Sequence, residues 1–220
     1  MVIVGLTGSI GMGKSTAAKM LREMGVPVYD ADAAVHALQA PGGAALPGIE
    51  AAFPGVVKAG VLDRQALGAR VFGNKEALRR LEAIVHPLVH RMQRAFLRRA
   101  ALAGEKLVVL DIPLLFEGLG ERRVDATLVV SAPSFLQRRR VLARPGMTVE
   151  KFEGILRQQV PDALKRRKAS IVIPTGMGLA PTRAALGKAV AELRDLRGQF
   201  WPPNPWREKF TARLARARRK

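Results

Sequence analysis

The segment that most constrains this chain is Gly8-Ser9-Ile10-Gly11-Met12-Gly13-Lys14-Ser15. It fits G-x-x-x-x-G-K-[ST] at every fixed position. The β-branched run Val2–Thr7 ahead of it reads as a buried strand, and Thr16–Met24 behind it reads as a helix closed by Gly25. A strand, a glycine-rich turn and a helix in that order make a phosphate clamp. The glycines let backbone N–H groups point inward, and the helix start adds its positive dipole end. Gly8, Gly11, Met12, Gly13, Lys14, Ser15 and Thr16 are therefore the candidate nucleotide-binding residues. Lys14 is placed to reach the β- and γ-phosphates and Ser15 to hold Mg2+. The clamp points to a nucleoside triphosphate and leaves the acceptor open. No N-K-x-D guanine-reading motif occurs, which argues against a GTPase.

The rest of the chain alternates strand and helix patterns. Pro27–Tyr29 reads as a second strand, followed by a helix to about Gln39 and a Pro/Gly/Ala loop over Ala40–Gly48. Asp63 is placed to cap Arg64–Phe72, and Asn74 opens a long amphipathic stretch, Lys75–Ala103. Pro87 predicts a break or kink in that stretch near His86. Lys106–Leu110, ending on Asp111, Val124–Val130 and Ala169–Ile173 read as further strands. Pro133–Arg144, Thr148–Gln159 and Leu179–Leu196 read as helices. This alternation predicts an α/β fold, a parallel sheet between two helical layers.

The 220 residues suit one domain, with or without a small insertion. The chain has no cysteine, so it has neither a disulfide framework nor a thiolate site. No apolar run reaches the ~18 residues of a membrane span, so no membrane partner is expected and a cytoplasmic location is the default. The net charge of +19 points either to polyanionic ligands or to a solvated surface rich in arginine. From Gly198 the composition changes. Trp201 to Trp206 is Pro-rich, and Arg207–Lys220 carries seven Lys/Arg against one Glu. That tail reads either as a basic helix for an acidic partner or as a solvated, flexible end.

Asp30 and Asp32 follow the second strand, at the carboxyl edge where α/β sheets bind ligands. Each is suited either to accept a proton from an attacking hydroxyl or to cap the next helix. Near a phosphate clamp, Asp32 is the better candidate base.

Five segments in order carry a resemblance: Gly5-Leu-Thr-Gly-Ser-Ile-Gly-Met-Gly-Lys-Ser-Thr16, Val28-Tyr-Asp-Ala-Asp32, Leu62-Asp-Arg64, Leu81-Glu-Ala-Ile-Val-His-Pro87 and Asp111-Ile-Pro-Leu-Leu-Phe-Glu117. Together they resemble dephospho-CoA kinase, up to about Ala191. The resemblance implies a three-layer P-loop NTPase fold with a parallel sheet. It implies one kinase domain over 1–197, with a helical acceptor-binding insertion at about 33–104 and a helical lid at about 133–160. The tail at 198–220 lies outside it. The implied reaction is ATP-dependent phosphorylation of the ribose 3′-hydroxyl of dephospho-CoA. Its implied participants are ATP, dephospho-CoA and Mg2+, without specific nucleic acid; the sequence leaves the oligomeric state open, a monomer being favoured.

The resemblance further implies that Asp32 is the catalytic base, with Lys14 and Arg140 in the catalytic set. Arg64, His86, Pro87, Asp111, Leu114 and Glu117 are implied at the acceptor together with Asp32. Asp111 could orient Mg2+ through water. Taken alone, Arg64 reads as a surface arginine beside an N-cap, while His86 reads equally as a helix-end cap, and Phe116 equally as a core residue or a residue stacked on a base. Gln137, Arg140 and Arg144 match a Q-x-x-R-x-x-x-R pattern, with the two arginines one helical turn apart and suited to close over ATP. Gln159 also fits a position near the lid's return. Ser170 and Pro174-Thr175 depart from the family pattern, which commonly has an acid and an asparagine there. Met12 also departs, and its side chain is expected to point away from the phosphates.

A shikimate kinase-like chain shares the D-x-D but needs F-R-x-x-E and a Gly-Gly at the third strand, where this chain has Asp111-Ile112-Pro113. A nucleic-acid-dependent ATPase would be expected to carry base-stacking aromatics, and this chain has one Tyr and two Trp.

Overall fold

The computed structural model describes residues 1–202. The basic stretch Arg207–Lys220 lies outside the described residues. The described residues form two compact units, one of Met1–Val28 together with those from Ala103 onward, the other of Tyr29–Leu102.

The first unit is organised on β1 (Val2–Thr7), all six residues of which are buried. Apolar side chains on both faces of a strand suit only a central position in a parallel sheet. Parallel strands β5 (Leu107–Asp111) and β6 (Ala126–Ser131) flank it, and β7 (Ile171–Pro174) continues in parallel beyond β6. Among the described residues the sheet order is β2-β5-β1-β6-β7, with β2 at Val28–Asp30. Helices α1 (Lys14–Glu23) and α9 (Leu179–Arg194) cover one face. Ala17, Ala18 and Leu21 of α1, and Leu186, Ala189, Val190 and Leu193 of α9, pack there with Val2, Val4 and Leu6. The helix residues recur at three- and four-residue spacings, the apolar stripe of a helix laid on a sheet.

The other face of β1 holds the segment after β5. A Cβ at Gly5 would stand 2.7 Å from Leu115 Cδ2, so glycine leaves the room that Leu115 occupies. Thr7 Oγ1 donates to Pro113 O at 2.9 Å. The strand that feeds the clamp thus also fixes Asp111–Glu117.

Three further helices follow β6: α6 (Ser134–Leu142), α7 (Val149–Gln158) and α8 (Asp162–Lys168). Thr148 Oγ1 caps α7 by accepting from Lys151 N at 3.3 Å, as its position predicts. Helix α6 stops two residues short of Arg144. The following Pro145 disfavours a helical residue before it, and Gly146 turns the chain at φ 71°. Arg140 and Arg144 therefore do not share one helix face.

The second unit contains α2 (Ala31–Leu38), α3 (Leu46–Ala52), a hairpin of β3 (Val57–Lys58) and β4 (Val61–Leu62), α4 (Arg64–Val71) and α5 (Lys75–Leu102). Its caps are those the sequence predicts. Asp63 Oδ1 accepts from Ala66 N at 2.9 Å, and Asn74 Oδ1 accepts from Ala77 N at 3.0 Å. Three features differ from expectation. The loop from Ala40 ends at Ala45, because Pro47 sits in the first turn of α3, where its missing N–H costs nothing. The short hairpin was not expected. Helix α5 runs unbroken through Pro87. Val85 is buried, and Ile84, Leu88, Val89 and Met92 pack on the same core, so apolar contacts on both sides of the proline hold the helix together.

Candidate active site

Gly8–Ser15 follows the carboxyl end of β1. The strand order reverses there, with β5 on one side and β6 on the other, which is where open α/β sheets bind ligands. Gly11 and Gly13 hold φ of 76° and 88°, values that side chains disfavour. A Cβ at Gly11 would also meet Val141 Cγ2 at 2.5 Å. Gly13 caps α1 without a side chain, and no acidic residue occupies the first turn. The opening N–H groups of α1, those of Lys14, Ser15 and Thr16, therefore point past the helix end, the arrangement that receives anions.

A cradle of N–H groups requires its carbonyls to be occupied elsewhere. Ser9 O accepts from Met12 N at 3.1 Å, and Ile10 O from Gln137 Nε2 at 2.8 Å. Gly11 O accepts from Arg140 Nη1 at 3.5 Å, and Met12 O from Thr175 Oγ1 at 2.8 Å. Four successive carbonyls are thus turned away from the cradle. The Met12 side chain is 2% exposed and packs in the core, and its sulfur accepts from Ala132 N at 3.1 Å. It points away from the phosphate side, as expected.

Lys14 Nζ stands 2.6 Å from Asp111 Oδ1. Asp111 is 2% exposed at the end of β5. Ser15 is exposed one residue further along α1. Among the described residues no cluster of three His, Asp or Glu could hold a metal ion. A seryl hydroxyl and one nearby carboxylate fit Mg2+ carried in with triphosphate and water, which needs only one or two protein groups.

Arg140 is half-buried, with Nη2 donating to Thr175 O at 2.8 Å. Arg144 is exposed, past the end of α6. Leu114 is 49% exposed, whereas Phe116, at 3%, is a core residue. Glu117 Oε1 accepts from Val160 N at 2.8 Å and lies 2.8 Å from Lys165 Nζ, on a lysine with no exposed side chain. Burial pushes the Glu117 carboxyl up. Its contact with Lys165 and the Val160 N–H outweigh that and hold it below its ordinary value.

Four of the residues expected at the acceptor, Asp32, Arg64, His86 and Pro87, belong to the second unit. Asp30 Oδ1 accepts from Ala33 N at 2.9 Å, so Asp30 caps α2 and Asp32 stands exposed in the first turn. Tyr29 anchors this start. Its hydroxyl donates to Val89 O at 3.1 Å, its ring lies 5.5 Å from that of Phe96, and burial followed by the Asp30 charge pushes its pKa up to about 12. Arg64 is exposed at the first position of α4. His86 and Pro87 are exposed in the middle of α5, so His86 does not cap a helix end.

Sequence reasoning missed two contributors. Thr175 stood out only as a departure from a pattern, yet its hydroxyl reaches Met12 O. Lys165 lies in the run Lys165-Arg166-Arg167-Lys168, and nothing in that run marks one lysine as buried. Ser170 Oγ accepts from Thr127 N at 3.0 Å, so this second departure serves the β6–β7 edge.

Comparison with known proteins is consistent over most of the chain. A family model described as dephospho-CoA kinase matches residues 2–180. A dephospho-CoA kinase of Novosphingobium aromaticivorans is 62% identical over 193 residues, 88% of this chain and 95% of that relative. One of Mesorhizobium japonicum is 59% identical over 198 residues, 90% of this chain and 100% of that relative. Among solved structures, TT1252 from Thermus thermophilus is similar with a TM-score of 0.76 and 41% identity, covering 87% of this chain and 97% of its own. A dephospho-CoA kinase from Campylobacter jejuni has a TM-score of 0.59 at 26% identity, covering 87% and 96%.

Proposed function

The chain belongs to the dephospho-CoA kinase family, and from that premise we propose how its residues divide the transfer of a phosphoryl group from ATP to the ribose 3′-hydroxyl of dephospho-CoA. The observation that carries the donor side is the cradle itself, four carbonyls turned outward beside the uncapped start of α1. Gly8 and Gly11 to Thr16 hold the triphosphate, with Lys14 exchanging Asp111 for phosphate oxygens. Ser15, and Asp111 through water, would hold Mg2+, which would supply charge neutralisation to the triphosphate. Arg140 and Arg144 add positive charge as the lid closes, and closure excludes water, the competing acceptor.

On the acceptor side, Asp32 takes the proton of the 3′-hydroxyl as its oxygen bonds to the γ-phosphorus. The bond from that phosphorus to the β–γ bridging oxygen breaks, and ADP leaves. The exposed Asp32 carboxylate supports this role, because Asp30 supplies the helix cap and leaves Asp32 free of that task. Arg64, His86 and Pro87, with Asp111 and Leu114, hold dephospho-CoA; a guanidinium fork suits its diphosphate. Glu117 stands with them at the acceptor and also ties down the lid's return segment through Val160 and Lys165.

The test compares acceptors. ADP release with dephospho-CoA should exceed release with shikimate, nucleoside monophosphates or nucleic acid by orders of magnitude, and equal rates with all would sink the reading. Asp32→Asn should lose at least about a hundredfold in kcat, the usual weight of a general base, while ATP affinity stays within about twofold. Near-normal turnover would remove Asp32 as the base.

A further inference from the structure

Both amide groups of one P-loop residue, Ile10, are held by glutamines from the two ends of the α6–α7 segment. Gln137, 6% exposed on α6, donates from Nε2 to Ile10 O at 2.8 Å. Gln159, the residue that ends α7, accepts at Oε1 from Ile10 N at 3.0 Å. The orientation of each side-chain amide is fixed by its partner, since a carbonyl only accepts and an N–H only donates. Around this joint the packing is close, because a Cβ on the next residue, Gly11, would lie 3.1 Å from Gln137 O. One residue after Gln159, Val160 N donates to Glu117 Oε1. The return of α7 is therefore anchored to the P-loop on one side and to the segment after β5 on the other.

We infer that Gln137 and Gln159 are positioning residues that couple the phosphate cradle to the α6–α7 lid through the Ile10 peptide groups. This rests on the kinase reading above. Gln137 keeps the Ile10 carbonyl out of the cradle, where it would repel phosphate. Gln159 holds the Ile10 N–H away from the triphosphate and so sets where the cradle begins. A cradle distorted by nucleotide must move Ile10, and with it both roots of the segment that carries Arg140 and Arg144. Neither glutamine touches the reacting atoms, so their loss acts on ATP binding and on lid closure.

The opposite polarity of the two bonds supplies the test. Glutamate can still accept from Ile10 N but cannot donate to Ile10 O. Gln159→Glu should therefore keep the bond that Gln159→Ala loses, whereas Gln137→Glu should fail as Gln137→Ala does. Each lost bond should raise the ATP KM about three- to tenfold, the range of one net hydrogen bond, and lower kcat, while the KM for dephospho-CoA stays within about twofold. Gln159→Glu as defective as Gln159→Ala, or Gln137→Glu as active as wild type, overturns the coupling. Wild-type turnover with ATP and dephospho-CoA, run alongside, tests the kinase reading by itself.

A measurement on the intact wild type needs no variant and no turnover. Amide hydrogen exchange should be slow at Ile10 and fast at Ser15 and Thr16 before nucleotide is added. Saturation with β,γ-imido-ATP should change exchange in α6 and α7 as well as in the P-loop. Equal rates at Ile10 and Ser15, or a nucleotide response confined to the P-loop, overturn the inference.

Discussion

At the scale of single residues, the least expected finding is how Glu117 and Lys165 are used. Glu117, the last residue of Asp111-Ile-Pro-Leu-Leu-Phe-Glu117, neutralises a lysine with no exposed side chain, a contact separate from the acceptor role expected of it. Removing one partner of such a pair leaves an uncompensated buried charge, so Glu117→Gln should cost about 3–5 kcal/mol near neutral pH. The sign of its pH dependence follows from the lowered carboxyl pKa. That stabilisation is present in full above the ordinary value of 4.5 and disappears as the pH falls through the folded-state value. Denaturant unfolding of wild type and Glu117→Gln should give a gap that is flat from neutral pH to about 5 and narrows below it. A gap unchanged by acid would show that the pair does not hold this segment. The motif is legible as letters, whereas the partner is not, because burial of Lys165 depends on packing around α8.

At the scale of elements, the sequence reading succeeded where a local signal was decisive. The caps Asp63, Asn74 and Thr148 and the glycine-rich turn each act within a few residues, and each stands where it was expected. It failed where tertiary packing overrode local chemistry. Helix α8 and the β3–β4 hairpin are too short to carry a period. Pro87 reads as a break, yet α5 continues because apolar contacts flank it. The unbroken helix yields a prediction. An interior proline deprives Ala83 O of its helical donor, at up to ~3 kcal/mol. Pro87→Ala restores that donor and should raise the stability of the protein by about 1–3 kcal/mol in denaturant unfolding. If His86–Pro87 holds dephospho-CoA, the same change raises the KM for dephospho-CoA and leaves that for ATP alone. Greater stability with both constants unchanged would leave the proline no part in acceptor binding.

At the scale of the whole molecule, the alternation of strand and helix patterns was enough to foresee a parallel sheet with flanking helices. The strand order was not legible, because β5 enters between β2 and β1 only after the long excursion through Tyr29–Leu102. Net charge acts at the same scale. Of the +19, seven basic residues against one acidic place +6 in the stretch beyond the described residues, which leaves +13 on residues 1–202. Both substrates are polyanions, and a cationic surface raises their encounter rate through a field that salt screens over about 8 Å at physiological ionic strength. The effect belongs to encounter and not to chemistry. Raising NaCl from about 20 to 300 mM should therefore lower kcat/KM for dephospho-CoA by roughly tenfold while kcat changes little. A chain truncated after Pro202 keeps two thirds of the net charge, so its kcat/KM should fall with salt on a shallower slope and not level off. A kcat/KM indifferent to salt in both proteins would assign the excess arginine and lysine to surface solvation, the other reading the composition allows.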